Sequence, residues 1–267
     1  MAEARGAIDQ AVELILASRN VIAMTGAGMS VESGIPPFRG EGGLWTQFGG
    51  PDANQYQRFL ADPDAFWARE LQQANEPYIV ELRKTISVAA PNPGHVALAS
   101  LESEGVLTTV VTQNIDGLHQ AAGSKSVIEM HGSRHKMRCV DCGDRSPREA
   151  MFLQVRPAPC VRCGGRVKYD SVLFGEPIPR SVLEEARAAT DRADCVLVVG
   201  TSATVRPAGG LPRIAKSNGA RLIEVNPDST AITETCDVVL RGRAAAILPE
   251  LVAEIGLVRP GHTPRQR

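Results

Sequence analysis

Four of the chain's six cysteines form two closely spaced pairs. They read Cys139-Val-Asp-Cys142 and Cys160-Val-Arg-Cys163, and residues 143–159 separate the pairs. This spacing is typical of a zinc ribbon, in which four thiolates surround one ion. A complete shell of four thiolates leaves no open position for water, so we expect a structural zinc and look for catalysis elsewhere.

Two disulfides or a redox-active pair are the alternative for these cysteines, but a chain that reads as cytosolic disfavours both. Gly143, Gly164 and Gly165 follow the pairs closely and are expected to adopt positive φ in the turns around the metal. The other two cysteines, Cys195 and Cys236, lie in apolar segments and are interpreted as small core residues rather than nucleophiles.

A second chemical signal is the glycine-rich stretch that follows the apolar run 21–24. It reads Gly26-Ala27-Gly28-Met29-Ser30, and backbone N–H groups in such a turn can bind a pyrophosphate. It is not a G-x-G-x-x-G motif, and no acidic residue about 20 positions on suits a ribose, so a hydride-transfer domain fits poorly. A purely structural turn remains the alternative.

Three further polar stretches follow short apolar runs. Residues 112–116 read Thr-Gln-Asn-Ile-Asp, residues 200–202 read Gly-Thr-Ser, and Asn226 follows a third run. The carboxyl ends of parallel strands are where open α/β sheets bind ligands, so these stretches are expected to meet the glycine-rich turn in one crevice. Each could also be an ordinary cap or turn.

His131-Gly132 adds a group that titrates near neutral pH, just before the cysteine pairs. It is a candidate general base, and a structural histidine is the alternative. No comparable motif accompanies the other histidines in the sequence, His95, His119 and His135.

The elements that must position these residues alternate between strand-like and helix-like segments. An amphipathic helix is expected before the first strand, and further helices over 181–192 and 211–218. The predicted strands are 21–25, 107–112, 195–199, 221–225 and 238–240. This alternation favours a parallel sheet with helices on both faces, interrupted by insertions at about 46–94 and 133–170.

Composition excludes several classes of protein. The 267 residues are 43% hydrophobic and 22% charged, with a net charge of −1, so no overall field would gather nucleic acid or an anionic membrane. The first 20 residues lack the pattern of a secretory signal, and no apolar run approaches the roughly 20 residues that span a bilayer. We therefore expect a cytoplasmic protein with no membrane partner and no direct nucleic-acid partner.

The motifs occur together in the order found in sirtuins, and the chain resembles that family from about Ile8 to Leu251. Besides the stretches above, the resemblance rests on Gly34-Ile35-Pro36-x-Phe38-Arg39, Phe174-Gly175-Glu176 and Val225-Asn226. It implies an NAD-dependent protein lysine deacylase that uses NAD and holds one structural zinc.

The resemblance also implies an α/β architecture: a Rossmann-like parallel sheet with a small domain of zinc ribbon plus helical insertion. The large NAD-binding domain would comprise residues 1–45, 95–132 and 171–255. The insertions 46–94 and 133–170 would form the small domain, and residues 256–267 a tail.

By the same resemblance, His131, Asn114 and Asp116 would be catalytic. His131 would act as a general base on a ribose hydroxyl, Asn114 would order the site, and Asp116 would accept a hydrogen bond from the nicotinamide amide. The cofactor-binding residues would be Gly26, Ala27, Gly28, Ser30, Phe38, Arg39, Gln113, Asn114, Ile115, Asp116, Gly200, Thr201, Ser202, Asn226 and Ala244. The segment Val172, Leu173, Phe174 and Gly175 would pair with the backbone of an acyl-lysine peptide, although a plain core strand is the alternative.

The chain departs from the family pattern in two places. Pro37 stands where many members have Asp, and its fixed φ is expected to stiffen the cofactor loop. The Tyr-x-x-Arg pair of the succinyl- and malonyl-removing branch is missing, so acetyl groups are the favoured substrate. The alternative functions are a mono-ADP-ribosyltransferase or NADase that uses the same site, and a non-catalytic NAD-binding module.

Overall fold

A computed structural model describes residues 2–40, 42–50, 52–148 and 157–258. Helices α1 to α10 cover Ala2–Ala17, Leu44–Phe48, Gln55–Ala61, Pro63–Gln73, Pro77–Val88, Pro93–Ser103, Leu118–Ala121, Arg180–Arg192, Leu211–Ser217 and Ala244–Val258. Strands β1 to β9 cover Val21–Thr25, Leu107–Thr112, Val127–Glu129, Lys136–Cys139, Arg145–Pro147, Val167–Tyr169, Cys195–Val199, Arg221–Val225 and Val238–Leu240.

The central sheet has the order β3-β2-β1-β7-β8-β9, and every neighbouring pair in it is parallel. All five predicted strands are confirmed with their predicted bounds. The predicted sheet lacked β3, which joins at the edge beside β2. A parallel order with helical crossovers brings the carboxyl ends of β1, β2, β7 and β8 to one edge.

Alternation along β1 explains why the sheet is covered on both faces. Val21 and Ala23 belong to a core cluster with apolar residues of α1, α6 and α10. Ile22 and Met24 belong to a second cluster with residues of α8 and α9. Because successive strand residues point to opposite faces, a continuous apolar run such as this one is buried on both sides.

A separate antiparallel sheet, in the order β5-β4-β6, carries the first cysteine of the ribbon at the end of β4. Helices α2 to α5 fill the other predicted insertion. The two insertions touch: Trp67 Nε1 in α4 donates to the Val167 carbonyl at 3.2 Å, and the Trp67 ring packs on Tyr169 at 4.9 Å.

Candidate active site and metal centre

The glycine-rich turn after β1 lies directly against the turn after β7. Gly26 N donates to the Val199 carbonyl at 3.1 Å, and Gly28 N donates to the Gly200 carbonyl at 2.8 Å. A Cβ at residue 28 would lie 2.7 Å from Gly200 Cα, closer than real side chains approach. Ala27 begins a short 3-10 turn between them. Glycine is therefore required because two backbones meet here.

The polar residues after β2 join this turn. Asn114 Nδ2 donates to the Gly26 carbonyl and to Ser30 Oγ, both at 3.0 Å. Ser30 Oγ in turn donates to Asp116 Oδ2 at 2.7 Å. Gln113 Nε2 donates to Thr201 Oγ1 at 2.9 Å. The polar residues that follow β2 are thus hydrogen-bonded to the turns that follow β1 and β7, as the predicted meeting of strand ends requires.

The adenosine side of the predicted site is built in the same way. Asn226 Nδ2 donates to the Thr201 carbonyl at 3.3 Å, which joins the ends of β7 and β8. Arg39 Nη1 lies 3.5 Å from Ser202 Oγ. Ala244 is 3% exposed and begins α10. The start of this helix is hydrogen-bonded to Glu32, which follows the glycine-rich turn: the Glu32 carboxylate accepts from the Ala245 amide at 2.8 Å.

The His131 side chain is held by a backbone carbonyl. Its Nδ1 lies 3.1 Å from the Gln113 carbonyl oxygen. A carbonyl can only accept, so Nδ1 carries the proton and Nε2 keeps a free lone pair. Burial lowers the pKa of His131, and the hydrogen bond to Gln113 opposes that shift. At neutral pH the ring is therefore a neutral imidazole, which is the protonation state that a general base needs.

The segment 172–175 lies beside His131 and is not a core strand. Val172 N donates to the His131 carbonyl at 2.9 Å, and Val172 and Leu173 are half-buried. A turn at 174–175 exposes Phe174 and Gly175, and the Phe174 ring packs edge-on against Trp45 at 5.6 Å.

Two other predicted cofactor residues flank this region. Phe38 is about half exposed and packs on the Trp45 ring at 5.0 Å. Ile115 is half-buried, and its carbonyl accepts from Arg134 N at 2.9 Å. Phe38 and the segment 172–175 are therefore joined through the Trp45 ring.

The four paired cysteines converge on one point. Their sulfur atoms all lie within 4.8 Å of one another, and all four are free thiols rather than disulfides. Cys139 Sγ lies 3.6 Å from Cys163 Sγ, and Cys142 Sγ lies 3.7 Å from Cys160 Sγ. A tetrahedral zinc with bonds of about 2.3 Å has edges of about 3.8 Å, so these residues fit the ion.

The turns around the ribbon differ from the prediction at one glycine. Gly143 and Gly164 adopt positive φ of 76° and 71°, as expected, but Gly165 is not among the residues with positive φ. Gly165 is required for space instead, because a Cβ there would lie 2.6 Å from Asp141 Oδ2 and 3.0 Å from Cys163 Sγ.

The remaining cysteines pack in or against the apolar core, Cys195 fully buried and Cys236 half-buried. Cys195 lies in β7, and Cys236 packs against the second core cluster. Burial raises the pKa of each thiol to about 12, so neither is a thiolate at neutral pH.

Comparison with known proteins identifies the arrangement. The model of the Sir2 family matches residues 26–207. The chain belongs to this family. A Thermococcus kodakarensis NAD-dependent protein deacylase is 44% identical over 254 residues, covering 93% of this chain and 95% of that protein. A Pyrobaculum aerophilum NAD-dependent protein deacetylase 1 is 41% identical, covering 92% of this chain and 93% of the relative.

Solved Sir2 structures share the fold. A Sir2 homologue in complex with NAD superposes with a TM-score of 0.79 at 38% identity, covering 94% of each chain. A Sir2 complex with a p53 peptide and NAD⁺ gives a TM-score of 0.76 at 33% identity, covering 94% of this chain and 99% of the other. No helix in the described part of this chain is long and apolar enough to cross a membrane. The cytoplasmic location and the lack of a nucleic-acid partner stay predictions.

The fold gives His95, His119 and His135 contacts that the sequence did not predict. His119 Nε2 lies 3.0 Å from Thr25 Oγ1 at the end of β1, and its ring is 4.9 Å from that of His95. His135 Nε2 lies 3.0 Å from the Asp116 carbonyl. All three lie outside the motif stretches, so only the fold reveals these contacts.

Proposed function

We propose that this Sir2-family chain is an NAD-dependent protein lysine deacylase that prefers acetyl-lysine. The observation that carries the proposal is the convergence of Ser30, Asn114 and Asp116 in one hydrogen-bond chain beside a neutral His131. A module that only binds NAD has no use for a poised base. The NAD-dependent deacylase names of the relatives support the same reaction.

The proposed site residues divide the task between binding and proton transfer. The turns at 26–30 and 200–202, with Arg39, bind the phosphates, while Asn226 binds the adenosine ribose. When bound, NAD supplies the ribose carbon that accepts the acyl oxygen as nicotinamide leaves. Asp116 orients the nicotinamide amide, a positioning role that lowers the entropic part of the barrier.

His131 provides the proton transfer. With Nδ1–H fixed on the Gln113 carbonyl, Nε2 is the atom that removes a proton from a ribose hydroxyl. The same hydrogen bond becomes stronger when the ring is protonated, so the carbonyl stabilises the imidazolium that forms. The products of the proposed reaction are nicotinamide, O-acyl-ADP-ribose and free lysine.

We also propose that residues 46–94 and 133–170 form one small domain, with the rest, up to 255, forming the NAD-binding domain. The contact of Trp67 with Val167 across the two insertions supports this division. The proposed occupants are NAD in the large domain's crevice, one structural zinc in the ribbon, and an acyl-lysine peptide along 172–175. The predicted tail falls partly outside the described residues, since 259–267 are not described.

The test is to incubate the purified protein with an acetyl-lysine peptide, with and without NAD, and to follow both products by mass spectrometry. We expect deacetylated peptide and acetyl-ADP-ribose only when NAD is present. His131→Tyr should abolish both, while Glu184→Gln, in the exposed ion pair with Arg180, should keep most of the activity. NAD conversion to ADP-ribose with the peptide untouched would favour the ADP-ribosyltransferase or NADase alternative, and no NAD consumption would favour the binding module.

A further inference from the structure

A cluster of buried charges lies between the ribbon sheet and the segment 172–175. Arg138 of β4 and Lys168 of β6 are direct partners in the strand register. Their side chains are only 8% and 1% exposed. Like charges opposite each other in a sheet destabilise it, and the cost grows with burial. Carboxylates must therefore neutralise this pair, and Asp170 and Glu176 do so.

Glu176 contacts both cations at once. Its Oε1 accepts from the Arg138 guanidinium, and its Oε2 lies 2.9 Å from Lys168 Nζ. The other donors of Lys168 are also satisfied, by the Tyr169 carbonyl at 2.9 Å and the Ser171 carbonyl at 2.7 Å. Glu176 is itself 2% exposed in its side chain, so it has no alternative partner in solvent.

The same carboxylate fixes the backbone of the predicted substrate segment. Glu176 Oε2 accepts from Leu173 N at 2.8 Å, and Glu176 N donates to the Leu173 carbonyl at 3.0 Å. The Leu173 peptide groups are thereby turned toward Glu176. The orientation of Leu173 decides which backbone groups of the segment stay free to hydrogen-bond with a peptide, since strand pairing uses alternate residues.

Asp170 ties the His131 turn to the same cluster. Its Oδ1 accepts from Arg138 Nε at 3.0 Å, and its Oδ2 accepts from Ser133 N at 3.3 Å. Gly132 has a φ of 77°, and a Cβ there would lie 2.2 Å from the Asp170 carbonyl oxygen. The turn that carries His131 is thus packed on the backbone of Asp170 with no space for a side chain.

We propose that Glu176 is a positioning residue for the acyl-lysine peptide. By binding Arg138, Lys168 and the Leu173 amide together, it holds the segment 172–175 in the conformation that pairs with the peptide. Asp170 fixes the base-bearing turn to the same sheet, so substrate and base share one rigid support. This inference rests on the proposed function, because it assigns the segment to an acyl-lysine peptide.

The test is Glu176→Gln, which keeps the size of the side chain and removes its charge. One amide oxygen cannot replace two carboxylate oxygens, and the new NH₂ would face cationic donors. We expect the Kd of a fluorescent acetyl-lysine peptide, measured by anisotropy, and the peptide KM to rise about tenfold, the loss typical of one charged hydrogen bond. The KM for NAD should rise much less than the peptide KM, because no described side chain of the cluster contacts the turns after β1 and β7.

A second readout separates positioning from general stability. Hydrogen exchange at the Leu173 amide should become faster in Glu176→Gln, while exchange in β1 and β7 stays unchanged. The control is Glu184→Gln, which removes a carboxylate from the exposed ion pair with Arg180 and should leave the peptide Kd as it was.

If Glu176→Gln does not fold, the double variant Lys168→Met/Glu176→Gln removes one cation together with one anion. We expect the same weakened peptide binding, because the Leu173 amide still lacks its carboxylate. Unchanged peptide Kd in the variant that folds would overturn the inference, and so would an equal loss for peptide and NAD. A wild-type protein that binds the peptide without deacetylating it would overturn the proposed function, and the Kd comparison would still decide the role of Glu176.

Discussion

Lowering the pH should destabilise this fold through the buried imidazole pair His95 and His119. The two residues are 0% and 1% exposed, and their ring centroids are 4.9 Å apart. Burial lowers the pKa of His95 to about 4, although the Asp116 charge opposes the shift. Burial and then the neighbouring His95 lower the pKa of His119 to about 3. Among the described residues, His95 Nε2 and His119 Nδ1 have no hydrogen-bond partner, so a proton gained there would not be compensated.

The direction and the size of this loss of stability follow from how many protons the folded and unfolded chains bind. Well above pH 6.5 both rings are neutral in the folded and unfolded states, and the pair adds no pH dependence. Below that pH the unfolded chain binds protons that the folded chain does not, so the free energy of unfolding falls as pH falls. A pH of 5 is about 1.5 units below the pKa of an unfolded histidine, so each ring lowers the free energy of unfolding by about 2 kcal/mol.

The assay is urea unfolding at pH 7 and pH 5. Wild type and His119→Gln will differ in how much stability they lose, and we expect the variant to lose about 2 kcal/mol less between these pH values. His135→Gln, at an exposed ring, should lose as much as wild type. Acid weakening of the cysteine site affects all three proteins and cancels in the comparison. Equal losses in wild type and His119→Gln would refute the buried-pair argument.

Three further predictions concern the proposed site. Ser30→Ala removes the hydroxyl that bonds to Asp116, and we expect the KM for NAD in initial-rate assays to rise about tenfold; an unchanged KM would contradict the role of this chain of bonds. Because burial lowers the pKa of His131, we expect kcat/KM for the peptide to fall on acidification only below the ordinary histidine pKa of about 6.5; a kcat/KM already halved above pH 7 would contradict this. Cys163→Ala should purify without zinc in elemental analysis while Cys195→Ala retains it, and equal zinc in both would contradict the ribbon assignment.

The main sheet could be predicted from sequence because its strands are buried on both faces. A run such as 195–199 is apolar at every position, and only a central parallel strand or a buried helix accepts that pattern. Its five-residue length excludes the helix. Strand β3 has only three residues and ends in a charged one, Glu129, so it carries too little pattern to recognise.

The charge cluster could not be predicted, because it depends on strand register. Arg138 and Lys168 are partners only in the observed pairing of β4 with β6. A slip of one residue would send one of the two to the opposite face of the sheet. The sequence shows that both are charged, and charged residues in a small domain are usually exposed. Their burial is decided by Asp170 and Glu176, whose distance from β4 along the chain hides the contact.

The glycines of the turn after β1 indicated a close backbone approach, but the sequence does not reveal that another loop of the protein makes it. Glycine in this turn suggested that backbone must approach a phosphate. The N–H groups of Gly26 and Gly28 donate to the carbonyls of Val199 and Gly200, so neither is a free donor. The glycines also let two loops of the protein approach closely, which places the turn after β1 against Thr201. Glycine thus builds the crevice, and the polar side chains that the crevice gathers provide its chemistry.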